Sequence, residues 1–286
     1  MYANCVIKYI YLLCNSNIIK LGVGKLEHLK VAADGLLEEM DLDVELNLVE
    51  NVESEDVKAG VDKKALEKHI RKVLREANKK NADKNSKKMY FIVKRTIDIL
   101  CSSIAIILLS PIFIITAIAI KLESKGPVFY VQERVGKNGK IFNIYKFRSM
   151  CDGAHDMVEN LQHLNEREGT GFKISNDPRV TKVGKIIRKT CIDELPQLFN
   201  IFFSEMSIVG PRPPLPEEVA EYTDSQIQRL GAKPGLTCYW QVSDRDMEFD
   251  DWANLDIKYI KESSLLLDIK LIFKTFGVVF SSKGDH

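Results

Sequence analysis

The sequence predicts an α/β protein, mostly helical with a small β-hairpin, attached to one face of a membrane. Three observations lead to that monotopic arrangement. Residues Ile99–Ile120 carry no charge, Ser110-Pro111 interrupts them near the middle, and basic residues flank both ends. A straight helix over this run would reach about 33 Å, enough for a hydrocarbon core. Proline removes a backbone donor and clashes with the preceding turn, so the helix breaks there, and the Ser110 hydroxyl is placed to satisfy a freed carbonyl. Lys94 and Arg95 precede the run, and Lys121 and Lys125 follow it. Basic flanks favour the cytoplasmic side, which pulls both ends to one face and makes a re-entrant helix-break-helix hairpin over about 97–121. A plain transmembrane anchor is the alternative.

Composition excludes several other classes. With 286 residues, 45% hydrophobic, 28% charged and a net charge of +1, the chain is neither disordered nor low-complexity. Only one long uncharged run exists, which excludes a polytopic membrane protein, and the charge balance gives no reason to expect a nucleic-acid partner. The six cysteines form no C-x-x-C pair and read as reduced thiols. Local charge is less even. Residues 34–56 are mostly acidic, whereas Lys63–Lys88 is strongly basic, which suits either a solvated linker or the anionic lipids of an inner leaflet.

Residues 1–60 read as a small appendage of unknown role, 61–93 as a basic helix and linker, and 94–286 as the main domain. After the hairpin, Val128–Val135 and Ile141–Phe147 are strand-like, with a turn at Gly136–Gly139 containing Asn138-Gly139. Residues 152–172 read as helix and then loop. Arg179–Lys189 is basic and amphipathic, and another helix opens at Asp193. Leu265–Phe280 is apolar on most faces but interrupted by Asp268, Lys270 and Lys274; it suits an interfacial helix or a core helix.

Chemistry concentrates between Asn176 and Arg245. The adjacent acids Asp193 and Glu194 follow Arg188 and Lys189. Asp193 can serve as a helix N-cap; equally, one carboxylate can attack or move a proton while the other holds a divalent metal. Gly210-Pro-Arg-Pro-Pro214 makes a rigid loop that fixes the Arg212 guanidinium, either for phosphate oxygens or for a salt bridge to Glu205 or Glu217. Lys233–Arg245 turns on Gly/Pro into an aromatic–amide–arginine cluster that includes Trp240, Gln241 and Arg245; Trp240 also suits a core position.

Several ordered strings resemble the bacterial sugar transferase family, the monotopic phosphoglycosyl transferases that act on polyprenyl phosphate. They are Lys94-Arg-Thr-Ile-Asp98, Ser110-Pro111, Gly126-Pro-Val-Phe-Tyr-Val-Gln-Glu-Arg-Val-Gly136, Phe142-Asn-Ile-Tyr-Lys-Phe-Arg-Ser-Met150, Asn176-Asp-Pro-Arg-Val-Thr-Lys-Val-Gly184, Asp193-Glu-Leu-Pro-Gln-Leu-Phe-Asn200, Val209-Gly-Pro-Arg-Pro213 and Lys233-Pro-Gly-Leu-Thr237. The resemblance implies that Asp193 is the nucleophile on a UDP-sugar and that Glu194 binds Mg2+ against the diphosphate. It places phosphate-binding arginines at Arg188 and Arg212. Lys146 and Arg148 are further candidate phosphate or headgroup contacts, and Gln241 and Arg245 candidate sugar contacts. The implied reaction releases UMP and leaves the phosphosugar on polyprenyl (undecaprenyl) phosphate, at the cytoplasmic face of a bacterial inner membrane. Association into a homo-oligomer is compatible with all of this. The chain departs from the family where Thr237-Cys238 and Ser243-Asp244-Arg245 stand in place of more usual glycine-containing strings. The competing reading is a non-catalytic membrane scaffold for polysaccharide assembly. A glycosidase is disfavoured, because adjacent carboxylates do not suit the roughly 5–9.5 Å separation that its chemistry uses.

Overall fold

The computed structural model describes residues 61–79, 87–154, 156–166, 174, 176–243 and 249–280. The N-terminal appendage and Arg245 lie outside them. By its internal contacts the chain divides into two units, one of which is Val61–Lys125 with Tyr130–His286. That unit is mostly helical with a small sheet content.

The basic segment forms helix α1 (Lys63–Lys79). Apolar residues recur at helical spacing, so Ile70, Val73 and Leu74 are buried against Val135, Val219, Ile227 and Leu230. Lys64, Lys68, Arg71, Lys72 and Arg75 line the exposed side.

The uncharged run forms two helices, α2 (Lys88–Leu108) and α3 (Ser110–Glu123), bent by 58° at the break. Pro111 sits in the first turn of α3, where its missing N–H costs nothing. The Ser110 hydroxyl donates to the Ile107 carbonyl at 2.8 Å, as its position in the sequence suggests. Among the described residues no single helix is long and apolar enough to cross a membrane, and this bent pair meets the length and composition only when taken as a unit. One face of the pair is packed: Phe113, Thr116 and Ile120 are buried, with Phe113 edge-on to Phe199 and tilted against Phe147. The other face exposes Leu100, Ile104, Leu108, Ile115, Ile118 and Leu122.

The polar start of α2 joins three parts of the unit. Lys94 and Tyr90 both donate to Asp268, at 2.7 and 2.9 Å. Arg95 donates to the carbonyls of Ile201 and Phe202. Asp98, buried, accepts from the Ile208 N–H at 3.0 Å. Lys94 and Arg95, the cations that precede the uncharged run, are therefore internal fasteners.

Strands β1 (Phe129–Val135) and β2 (Ile141–Phe147) pair as the expected hairpin. Its tip turns through Asn138 (φ 58°) and Gly139 (φ 83°), the left-handed conformations that an Asn-Gly pair favours. Then follow α4 (Val158–Leu161), α5 (Lys182–Lys189), α6 (Gln197–Phe202), β3 (Ser207–Val209), α7 (Pro216–Ala220), α8 (Asp224–Ile227), β4 (Gly235–Thr237), α9 (Phe249–Glu262) and α10 (Leu265–Phe280). Strands β3 and β4 form a parallel pair, with Ser207 opposite Gly235 and Val209 opposite Thr237. Close approach makes this pairing possible. A Cβ at Gly235 would lie 2.1 Å from the Gly210 nitrogen, so the two glycine-containing strings exist to touch one another. Helix α10 is packed on one side and open on the other: Leu271 and Asp268 are buried, whereas Leu266, Phe273 and Phe276 are exposed.

Candidate active site

The site is built on α5, the turn after it and the end of β2. Thr181 caps α5 by accepting from the Gly184 N–H at 2.9 Å. Glu123, at the end of α3, accepts from the N–H groups of Lys182 and Val183 at 2.7 and 2.9 Å. Gly184 lies so close to the chain after β2 that an added Cβ would sit 1.9 Å from the Ser149 carbonyl. Beneath the helix start, Asp177 and Arg179 form a buried, forked ion pair at 2.6 Å. Arg179's hydrogen bonds hold the Asp177 carboxyl below the usual carboxylate range, against the opposing effect of burial.

After α5 the chain reverses through Cys191, which adopts the left-handed conformation (φ 54°). Such a backbone is costly for a residue with a side chain and occurs where the surroundings enforce it. A 3-10 turn, Ile192–Glu194, then carries the acidic pair. Asp193 is not an N-cap: α6 begins only at Gln197, preceded by Pro196, with no side-chain cap. Its simplest structural role in the sequence is thus absent.

Asn200 fixes β2 relative to this turn. Buried in α6, it accepts from the Tyr145 N–H and donates to the Asn143 carbonyl, filling both ends of its amide. The next residue along β2, Lys146, then reaches Glu194 at 2.8 Å. Arg188, near the end of α5, donates through Nε to Ser149 at 2.8 Å, and the charges of Asp193 and Asp177 act on its partly buried guanidinium. Burial and the neighbouring Glu194 charge push the Asp193 carboxyl up to about 6, with Lys146 and Arg188 pulling the other way. The result is a half-buried, poorly solvated carboxylate between cations, beside a second carboxylate.

Arg212 stands on the proline-rich loop with its guanidinium 5.7 Å from the centre of the Trp240 ring. Among the described residues it makes no ion pair, so neither Glu205 nor Glu217 engages it. Trp240 packs on Trp252 at 4.8 Å, and among the described residues the buried Nε1 atoms of both rings and Oε1 of Gln241 have no hydrogen-bond partner. Arg148 is placed differently from the other candidates. It is buried and donates to the Ser124 carbonyl and hydroxyl and to the Lys125 carbonyl, gripping the end of α3. Ser110 and Pro111 shape the helix break. Thus Asp193, Glu194, Lys146 and Arg188 are brought together around the turn.

One residue outside the sequence-derived set belongs beside them. Arg134, buried in β1, donates to the Pro213 carbonyl at 3.2 Å, and the charges of Arg212 and Glu194 both reach it. Its only sequence signal is its place in the Gly126–Gly136 string, where it reads as an ordinary strand residue.

Among the described residues no group of three or more His, Cys, Asp or Glu side chains gathers to hold a metal. Mg2+, however, is commonly held by one or two carboxylates plus substrate phosphates. Two adjacent carboxylates, one with its pKa raised partly by the other, fit that mode and would leave the remaining oxygens to a diphosphate.

Residues 89–282 match the family model for bacterial sugar transferases. This chain belongs to the bacterial sugar transferase family. It is 43% identical over 68% of its length to the galactosyl transferase CpsE of Streptococcus agalactiae, and 42% identical over the same share to the undecaprenyl-phosphate galactose phosphotransferase of Salmonella typhimurium. These alignments cover 44% and 42% of the two relatives, so the chain spans less than half their length. It is also 38% identical to the exopolysaccharide production protein ExoY of Rhizobium meliloti, over 68% of this chain and 88% of that protein. The departure from the family pattern at Cys238 meets no conformational obstacle. That residue is fully buried among Val209, Tyr259 and Leu271, and it is not in the left-handed conformation that would call for glycine.

Proposed function

We propose that this chain transfers a sugar phosphate from a UDP-sugar to polyprenyl phosphate and releases UMP, the first membrane step in assembling a polysaccharide or glycoconjugate. The observation behind this reading is the Asp193–Glu194 pair, poorly solvated and flanked by Lys146 and Arg188. The relatives' printed names agree with it: they include undecaprenyl-phosphate phosphotransferases of galactose, glucose and N-acetylgalactosamine, the last acting from UDP-N-acetylgalactosamine.

In the proposed first step a carboxylate oxygen of Asp193 attacks the β-phosphorus of the donor. A phosphorus–oxygen ester bond forms, the bond to the α-phosphate oxygen breaks, and UMP departs with that electron pair. In the second step a phosphate oxygen of the polyprenyl acceptor attacks the same phosphorus. The aspartyl ester breaks, giving polyprenyl diphosphate sugar and free Asp193. Poor solvation leaves the Asp193 carboxylate more reactive than one in water. Arg188, Lys146 and Arg212 neutralise charge on the phosphate oxygens, the larger part of the assistance that phosphoryl transfer needs. Mg2+, held through Glu194, supplies further neutralisation of the diphosphate when bound.

One substrate is soluble and the other confined to the bilayer, so the site must lie at the interface. The exposed apolar face of the bent pair α2–α3 and that of α10 supply an area suited to burial in one leaflet. The exposed cations of α1, with Lys121 and Lys125 after the hairpin, suit anionic lipids and support a site on the cytoplasmic side of an inner membrane.

The test is a panel of UDP-sugars with Mg2+ and purified protein, scored for UMP. The expected result is UMP release that depends on polyprenyl phosphate, a phosphosugar adduct on Asp193 by mass spectrometry, and at least a 1,000-fold loss (roughly 4 kcal/mol of barrier) in Asp193→Asn. Release of UDP would indicate an ordinary glycosyl transferase, and full turnover by Asp193→Asn would exclude the assigned nucleophile.

A further inference from the structure

The loop that carries Arg212 cannot hold itself. Pro211, Pro213 and Pro214 have no N–H to donate, and the carbonyls of three successive residues are instead held from outside. Arg229 donates to the Arg212 carbonyl at 3.1 Å, Arg134 to that of Pro213 at 3.2 Å, and the Val135 N–H to that of Pro214 at 2.9 Å. Two of these donors are consecutive residues at the end of β1, so the strand and the loop move as one piece.

Arg134 is the unusual member. It is nine-tenths buried, its second terminal nitrogen donates to Gln132 at 2.6 Å, and among the described residues its Nε has no partner. Both partners of its guanidinium are neutral oxygens, and among the described residues it makes no ion pair. The charge of Arg212 opposes it, Glu218 and Glu194 favour it from a distance, and burial with that repulsion lowers its pKa to about 10. A buried guanidinium without a counter-charge is expensive. A neutral side chain could hold a carbonyl at far smaller cost, so the charge itself calls for a reason.

We propose that Arg134 is a positioning residue of the transfer site: through Pro213 it holds Arg212 in place, and its own charge is balanced by the diphosphate of the donor when that enters beside Glu194. This rests on the donor being a nucleotide diphosphate sugar, as above. A second cation set behind Arg212 makes the loop a site for a dianionic group rather than a single carboxylate.

The experiment uses the full chain in detergent or nanodiscs, with inorganic pyrophosphate and Mg2+ as the binding probe and UMP release as a separate readout. The variants are Arg134→Gln, Arg134→Lys, Arg212→Gln and the double Arg134→Gln/Arg212→Gln. Arg134→Gln is expected to weaken pyrophosphate binding about tenfold or more and to raise KM for the UDP-sugar in step. Arg134→Lys, which keeps the charge but replaces two terminal nitrogens by one ammonium, should bind pyrophosphate more tightly than Arg134→Gln does. The double variant should lose less than the two single losses combined, because part of the effect of Arg134 passes through Arg212. If Arg134→Gln lowers thermal stability but binds pyrophosphate as wild type does, the residue is only a strut and the proposal is overturned. Wild-type protein that ignores pyrophosphate at millimolar concentrations would overturn it as well. Should Arg134→Gln fail to fold, Arg134→Lys decides: a folded lysine variant that has lost pyrophosphate overturns the role of charge. Arg134-dependent pyrophosphate binding with no UMP from any UDP-sugar would instead leave this inference standing and remove the proposed reaction.

Discussion

At the scale of single residues, the site depends on contacts too close for any alternative side chain. Gly184 is the clearest case, because α5 can carry Arg188 to the acidic pair only by passing the Ser149 carbonyl at a distance that leaves no room for a methyl group. Gly184→Ala is expected to cost about 1–3 kcal/mol by denaturant unfolding, and to lower UMP release more than that loss explains because α5 must shift. Asp177 offers a test by pH. Its folded pKa is depressed by Arg179, so its contribution is full above the unfolded value of about 3.9 and is lost as pH falls through the lower folded value. The stability advantage of wild type over Asp177→Asn should therefore be constant near neutrality and shrink below about pH 4; an advantage that persists unchanged in acid would refute the assignment.

At the scale of elements, what the sequence discloses depends on how local the cause is. The Asn138-Gly139 tip and the break at Ser110-Pro111 are set by their own backbone chemistry, and both are found where the residues place them. The parallel pair β3–β4 is not foreseen, because three-residue strands separated by 25 residues show no period. The acidic pair is legible as a pair, but not its setting in a 3-10 turn behind a left-handed Cys191, which tertiary packing imposes. Arg134 is hidden for the same reason: its meaning comes from a loop 79 residues away. The helix break makes its own prediction. In a cysteine-depleted background, Met89→Cys and Lys125→Cys should be labelled from one side of the membrane. Adding Ser110→Ala and Pro111→Ala removes the bend's cause and should move one of the two to the opposite side in a measurable fraction. Labelling of the parent from both sides would mean that the pair spans.

At the scale of the whole described unit, the basic segment before the hairpin is more than a tether. Helix α1 covers Val135, Val219, Ile227 and Leu230, and the Ile70 side chain lies against the tip of the β-hairpin at Gly139. Ile70→Ala should cost about 2–5 kcal/mol by denaturant unfolding and weaken the unit as a whole, whereas a mere linker would tolerate the change with no shift in midpoint. The packing also explains how one short helix serves two solvents: its apolar side completes a core while its cations remain exposed.

The carboxylate of Glu123 ends the helix that emerges from the break and, with the same two oxygens, begins the helix that bears Arg188. The apolar helix pair and the helix that carries Arg188 consequently share one hinge pin. On the proposed placement of that pair in one leaflet, its height would set the reach of Arg188, and leaflet thickness would become a variable of the reaction.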